Sequence, residues 1–280
     1  VERPGYADPP DNSGGGQRQR REARRPFLGS LRLVFEDDFS GTALDQSKWF
    51  IGPKPDGGQY GGAHFVTKDE PQFSRVYTVT NGMLSIRAFY DAGYADPEGW
   101  GRRWYSGQIS SCFPNGRAPG AVRKGYFVMR AKMPAVRGAW PAFWLGNVAG
   151  NNNPAGGVEI DIIEGYGQFP LGYVGTIHDW PGQTGASEKY QQKHFDDMLG
   201  GANTQTEFHT YGLRITDAEA IWYFDEKELV RFPLYRANDP NLGAFFAMID
   251  LSVGGGWPVD VPASGCMEML VDYVRIYSAD

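Results

Sequence analysis

Gly157-Val158-Glu159-Ile160-Asp161-Ile162-Ile163-Glu164-Gly165 sets three carboxylates into a run that is otherwise Val and Ile, residues that favour a buried or half-buried strand. Successive strand side chains point to opposite faces, so Glu159 and Asp161 share one face while Ile160 and Ile162 share the other. Glu164, five positions from Glu159, falls on the wrong face unless a one-residue β-bulge near Ile162-Ile163 corrects the phase. With the bulge, Glu159, Asp161 and Glu164 occupy one surface. Ionised together they repel, so at least one is expected to keep its proton to an unusually high pH. One ionised and one protonated carboxyl group suit glycoside hydrolysis. The alternatives are a solvated strand face or a cation site.

Outward from this run, strand signals recur at 31–35, 83–89, 105–113, 126–133, 159–163, 173–178, 207–215, 220–224, 228–232, 245–253 and 267–277. In 126–133, Phe127, Met129, Ala131 and Met133 face one way and Tyr126, Val128, Arg130 and Lys132 the other. No segment shows a long helical period, and 42–50 has room for a single helical turn. Many strands joined by Gly-rich turns, without alternating helices, predict an antiparallel sandwich or barrel. Glycine fits this, at 38 of 280 residues against a usual ~7%.

Residues 1–26 differ in kind: Arg18, Arg20, Arg21, Arg24 and Arg25 cluster among Pro, Gly and Gln, giving net +2 there and −8 for the remainder. Too few apolar residues remain to pack a core, so 1–26 is expected to be a tail or linker and 27–280 a single domain. An anion-binding arm is the alternative for the tail. The overall charge of −6 speaks against a nucleic-acid partner, and no apolar run approaches the ~18 residues of a membrane span. The chain opens at Val1 without a signal peptide, which suggests a processed or trimmed form. Cys112 and Cys266 are the only cysteines; a disulfide and two buried thiols are both open. P-loop, GxSxG, GxGxxG and HExxH patterns are missing, so nucleotide, serine-hydrolase and zinc-protease chemistry have no support.

Gly138-Ala139-Trp140-Pro141-Ala142-Phe143-Trp144-Leu145 precedes the acidic run. Trp140 and Trp144 are four apart and in phase if extended, with one indole expected as a platform for sugar rings and the other partly in the core. Aromatics reach 14%, with 15 Tyr and 8 Trp, more than a core alone demands.

The run Glu159-Ile160-Asp161-Ile162-Ile163-Glu164 resembles the bulged E-x-D-x-x-E signature of glycoside hydrolase family 16. The resemblance covers most of 30–280. It includes Phe35-Glu36-Asp37-Asp38-Phe39, Gly125-Tyr126-Phe127 with Arg130-Ala131-Lys132-Met133, the Trp-Pro-Ala-Phe-Trp block, Val253-Gly254-Gly255-Gly256-Trp257-Pro258 and Val271-Asp272-Tyr273-Val274-Arg275-Ile276-Tyr277. It implies a β-jelly roll with an open concave groove. It also implies a retaining double displacement, with Glu159 as nucleophile, Glu164 as acid/base and Asp161 setting the nucleophile's pKa.

His178, in Gly175-Thr176-Ile177-His178-Asp179-Trp180, matches a position where the family often places a site histidine. Trp180, Trp257, Trp104 and Arg103 are expected along the groove, with a packed aromatic and a solvated charge as the alternatives for the last two. Many family members hold a structural calcium on the face away from the acids. Carried over, its ligands are Asp272 and carbonyls near Glu36 and Gly82, with an arginine or backbone partner for Asp272 as the alternative.

The segments 52–62, 90–104 and 147–156 are long for the family and are expected to shape the groove walls. The spacing of the acids resembles laminarinase, agarase and carrageenase members. The expected protein is a secreted or periplasmic, monomeric endo-β-glycanase acting on a β-1,3-glucan or a bacterial exopolysaccharide. A transglycosylase and a lectin-like jelly roll without turnover are the rival readings. Arg102, Arg103 and Arg123 keep a sulfated glycan open.

Overall fold

The computed structural model describes residues 29–150, 156–182 and 185–279. In it the acidic run is an interior strand, third in order, of a seven-stranded sheet. That sheet runs Lys189–His194, Val174–Pro181, Gly156–Glu164, Ala139–Asn147, Phe245–Val253, Gln108–Ser110 and Phe50–Ile51. A ten-stranded sheet lies against it, with Gly125–Lys132, Cys266–Ser278 and Met83–Tyr90 near its middle. Pairing is antiparallel except between Ala63–Phe65 and Trp104–Ser106. This is the two-layer sandwich that alternating strands require in order to bury their apolar faces. The tail proposed for 1–26 lies outside the described residues.

The core between the sheets comes from alternate residues of each. Phe127, Met129, Ala131 and Met133 meet Phe143, Leu145, Ile160, Ile162, Ile163, Ile249 and Leu251 in one cluster. The opposite face of Gly125–Lys132 is covered as well, since Tyr126 and Val128 pack with Ile221, Tyr223, Tyr273 and Tyr277. Burying the core in the interlayer leaves the outer face of the seven-stranded sheet free for polar chemistry.

Two departures from expectation have local causes. The strand expected at 105–113 is split into Trp104–Ser106 in the larger sheet and Gln108–Ser110 in the smaller. The chain changes sheets at Gly107, where a Cβ would stand 2.5 Å from the Tyr77 ring, so only glycine lets the backbone pass so close. Within 42–50, the turn at Asp45 is closed by Lys48 and Trp49 amides donating to the Asp45 carbonyl at 3.0 and 2.9 Å. The one α-helical turn among the described residues lies elsewhere, at Phe73–Val76. No described helix is long and apolar enough to cross a membrane. Cys112 and Cys266 are both unpaired.

Candidate active site

The bulge is present. Asp161 pairs with Trp144 and Ile163 with Phe143, leaving Ile162 as the extra residue, and on the other edge the register steps from Asp161–Thr176 to Glu164–Val174. Ile160, Ile162 and Ile163 all stay fully buried in the core, so the inserted residue returns Glu164 to the side of Glu159 and Asp161. The distorted backbone is secured from the facing sheet, where Trp222 Nε1 donates to the Asp161 carbonyl at 3.0 Å. Gly175, opposite the bulge, makes room for that indole: a Cβ there would lie 2.6 Å from Trp222 Nε1.

Each acid has its own donor. Trp180 Nε1 donates to Glu159 Oε2 at 3.1 Å. Trp140 Nε1 donates to Glu164 Oε1 at 3.2 Å, and Thr176 Oγ1 stands 3.4 Å from Glu164 Oε2. Asp161 is buried, and its Oδ2 lies 3.0 Å from His178 Nε2. His178 Nδ1 is bonded to Glu188, so the imidazole is held at both nitrogens, and its ring stacks on Trp180 at 5.2 Å and 12°. Glu159 Oε1 lies 3.9 Å from His178 Nε2.

Burial pushes the Glu159 and Asp161 carboxyl groups well above the usual carboxylate range; each acid's repulsion with a neighbouring carboxylate adds to this, and the His178 and Trp180 donors pull back against it. Glu164 is raised as well, first by burial and then by Glu159, with the Trp140 bond opposing. The cluster therefore retains a proton where isolated carboxylates would have lost theirs. For His178, burial opposes the imidazolium, but the hydrogen bond to Asp161, the charges of Asp161 and Glu159, and Glu188 outweigh it and bring the pKa up to about 9.

A histidine whose folded pKa exceeds its unfolded value stabilises fully below the unfolded pKa and loses that contribution as pH rises through the folded one. The window here runs from 6.5 to about 9. The midpoint of thermal unfolding is accordingly expected to drop by roughly 3 °C or more between pH 6.5 and 9.5. His178→Gln should shrink that drop. An equal drop in both proteins, read by differential scanning calorimetry, would show that His178 carries no such linkage.

Beyond Glu159 opens a pocket of about 360 Å³, lined by Lys54, Trp144, Gly146, Gly157, Trp180 and Phe246 among others. Trp257 is 42% exposed and meets the exposed Phe169 edge-on at 5.3 Å. Two expected groove residues stand apart from this assembly. Trp104 is 6% exposed, sits in the ten-stranded sheet and packs on Tyr90, so it is a core aromatic. Arg103 is exposed and donates to the Tyr94 carbonyl at 3.1 Å. Arg102 is buried between Asp96 and Glu98, which removes it as a sulfate contact.

Tyr60, Asp250 and Glu188 join the site without having been expected. Asp250 had one signal, a lone carboxylate inside the apolar run 245–253; Tyr60 lies in the 52–62 segment expected to shape the groove wall, and Glu188 lies in a loop whose sequence carries no signal. Two groups of described residues bring potential metal-ligating atoms within 4.8 Å of one another: His64 with Asp96 and Glu98, and Glu159 with Asp161 and His178. Neither includes Asp272. Its Oδ2 accepts from Arg130 Nη1 at 2.8 Å, and Glu36 Oε1 accepts from Arg275 Nε at 2.6 Å. Arg130 thus supplies the Asp272 carboxylate with a counter-charge. Gly82 forms the turn between Tyr77–Thr80 and Met83–Tyr90, with φ +69°.

Known proteins share this arrangement of chain. The description Glycosyl hydrolases family 16 fits residues 106–275. The endo-1,3-1,4-beta-glycanase EglC of Rhizobium meliloti is 32% identical over 89% of this chain and 52% of that protein. The glucan endo-1,3-beta-glucosidase A1 of Niallia circulans is 29% identical over 90% of this chain and 38% of that protein. The chain thus spans about half or less of these curated relatives. Among solved structures, that of SCLam, a non-specific endo-beta-1,3(4)-glucanase, matches with a TM-score of 0.68 at 26% identity, over 88% of this chain and 91% of that one.

Proposed function

We propose that this chain, which belongs to the glycosyl hydrolases of family 16, is an endo-acting β-glycanase that cleaves a β-1,3- or mixed-linkage glucan with retention of configuration. The observation that carries the reading is the bulge that phases Glu159, Asp161 and Glu164 onto one face, beside a pocket walled by indoles. A binding module has no need of three acids held on one face by individual donors. The names of the relatives, a 1,3-1,4-glycanase and a 1,3-glucosidase, support the linkage.

In the first step the Glu159 carboxylate attacks the anomeric carbon while the glycosidic C–O bond breaks. Glu164 gives its proton to the leaving oxygen, and a glycosyl ester remains on Glu159. In the second step Glu164, now ionised, takes a proton from water as that oxygen displaces Glu159. Trp180 Nε1 and the imidazolium of His178 stabilise the carboxylate that departs. Asp161 anchors His178 beside the nucleophile. The reading is tested by reducing-end release from laminarin and mixed-linkage glucan, with the Glu159 variant described in the Discussion as control.

The same reading has the chain act as a monomer, secreted or periplasmic, where a polymer too large to cross a membrane is met. For the structural calcium, support lies in the position of Asp272. It falls where Cys266–Ser278 passes from Met83–Tyr90, paired through Val271, to Arg32–Asp37, paired from Val274. The Arg130 pair weighs against it, and we take Arg130 as the counter-charge. EDTA is then expected to leave the unfolding midpoint within about 1 °C, since only a ligand bound to the folded state raises it. A fall of several degrees, reversed by added Ca2+, would establish the ion.

A further inference from the structure

We infer that Asp250 is a positioning residue: a single buried carboxylate oxygen holds Trp144 and Tyr60 together and thereby fixes the aromatic wall of the groove. The inference rests on the glycan-cleaving reading above and extends it to how the substrate's sugar rings are held.

Every residue of Phe245–Val253 is buried, and Asp250 is 1% exposed. In register it stands opposite Ala142, which stands opposite Glu164, so Asp250 belongs to the acid-bearing face. A carboxyl group there costs stability that an apolar side chain would not. Burial pushes its pKa up to about 7 against the Trp144 and Tyr60 bonds.

What the group does is visible in its partners. Asp250 Oδ1 accepts from Trp144 Nε1 at 2.8 Å and from the Tyr60 hydroxyl at 3.0 Å. Gln108 Oε1 lies 2.7 Å from the same hydroxyl. A phenol has one proton to give, and the carboxylate is the stronger acceptor.

Tyr60 is the link between the indoles. Its ring meets Trp144 edge-on at 5.9 Å and Trp140 at 6.2 Å, and Trp140 is the donor to Glu164. The neighbouring residue Gln59 exchanges two hydrogen bonds with the Phe65 backbone, at 3.1 and 2.8 Å. The 52–62 segment is therefore stapled at its end by Gln59 and Tyr60, and Lys54 in the same segment lines the pocket beside Glu159. Sugar rings entering the groove meet a wall already set, with no loop to order on binding.

The test uses the Glu159→Gln protein, titrated with laminarihexaose by calorimetry and followed by hydrogen exchange over 52–62. Asp250→Leu is expected to weaken binding at least about tenfold, as loss of hydrogen bonds to a charged group does, and to speed exchange of the segment about tenfold or more. Asp250→Asn, which keeps an Oδ1 acceptor, should recover most of both losses, a rescue that simple disruption of packing would not show. Tyr60→Phe should loosen the segment while the circular dichroism stays unchanged, and it carries the test alone if Asp250→Leu does not fold. Unchanged affinity and exchange in these variants would overturn the inference. If the Glu159→Gln protein binds no glucan at all, the substrate reading fails, and the exchange measurement still decides whether Asp250 sets the wall.

Discussion

Glu159→Gln is expected to lower hydrolysis of laminarin or mixed-linkage glucan by at least about 10⁴-fold, as removal of a catalytic nucleophile does elsewhere. Glutamine keeps the shape and can still meet Trp180 Nε1 through its carbonyl oxygen, so the groove should stay built. It cannot form the glycosyl ester, and the neighbouring carboxylate on the same face, Asp161, is engaged by His178. Affinity for laminarihexaose should change by less than about threefold, since an interaction used only in the transition state adds little to ground-state binding. Residual activity within a factor of ten of wild type would remove Glu159 from the nucleophile's role. A wild-type protein silent on both glucans, yet binding one of them, would move the reading to a glycan-binding jelly roll.

The second large effect concerns Glu164. Glu164→Gln should cost about 10³-fold on natural glucans, whose leaving oxygen needs a proton, within the 10²–10⁴-fold range of general acid catalysis. An aryl β-glucoside of laminaribiose with a dinitrophenolate leaving group needs no such proton. Its first step should survive, with glycosyl-enzyme accumulating because the base for water is gone. Added azide, a nucleophile that requires no base, should restore turnover and give the β-azide. The aqueous burst and its azide rescue are read in one stopped-flow experiment. Equal losses on both substrates, with no rescue, would place the acid elsewhere. Burial raises Glu164 above an ordinary glutamate, as it does Glu159, so the leaving-group test and not this shift separates the acid from the nucleophile.

The acidic run carried both of these expectations, because parity within a strand is a local property. Val and Ile at 158, 160, 162 and 163 must reach the core, and no regular strand can bury both 162 and 163 while keeping Glu164 with Glu159. The bulge follows from that conflict. The alternation in 126–133 was legible for the same reason, and 245–253 matched the observed strand end to end. Trp140 and Trp144 share the acid face, the first half-buried against Glu164 and the second nearly buried against Asp250.

Other elements were not legible. Ala139–Asn147 is a central strand although it contains Pro141, a residue that usually argues against one. Lys189–His194 is exposed at every position and has no apolar pattern; its backbone pairing with Val174–Pro181 holds it. Trp104 looked like a groove aromatic because burial in a strand and display on a surface leave the same letter in the sequence.

Alternation and the forced bulge, each written in neighbouring residues, determined from sequence alone an antiparallel all-β sandwich or barrel with Glu159, Asp161 and Glu164 on one face, and the resemblance to family 16 narrowed it to the jelly roll. Tertiary structure alone decided what surrounds them. Tyr60 and Asp250 are 190 positions apart and meet through one hydrogen bond, and Trp222 reaches Asp161 from 61 positions away, out of the other sheet. Such contacts depend on the order in which strands lie side by side. That order is settled by the packing of whole layers, which no local period records.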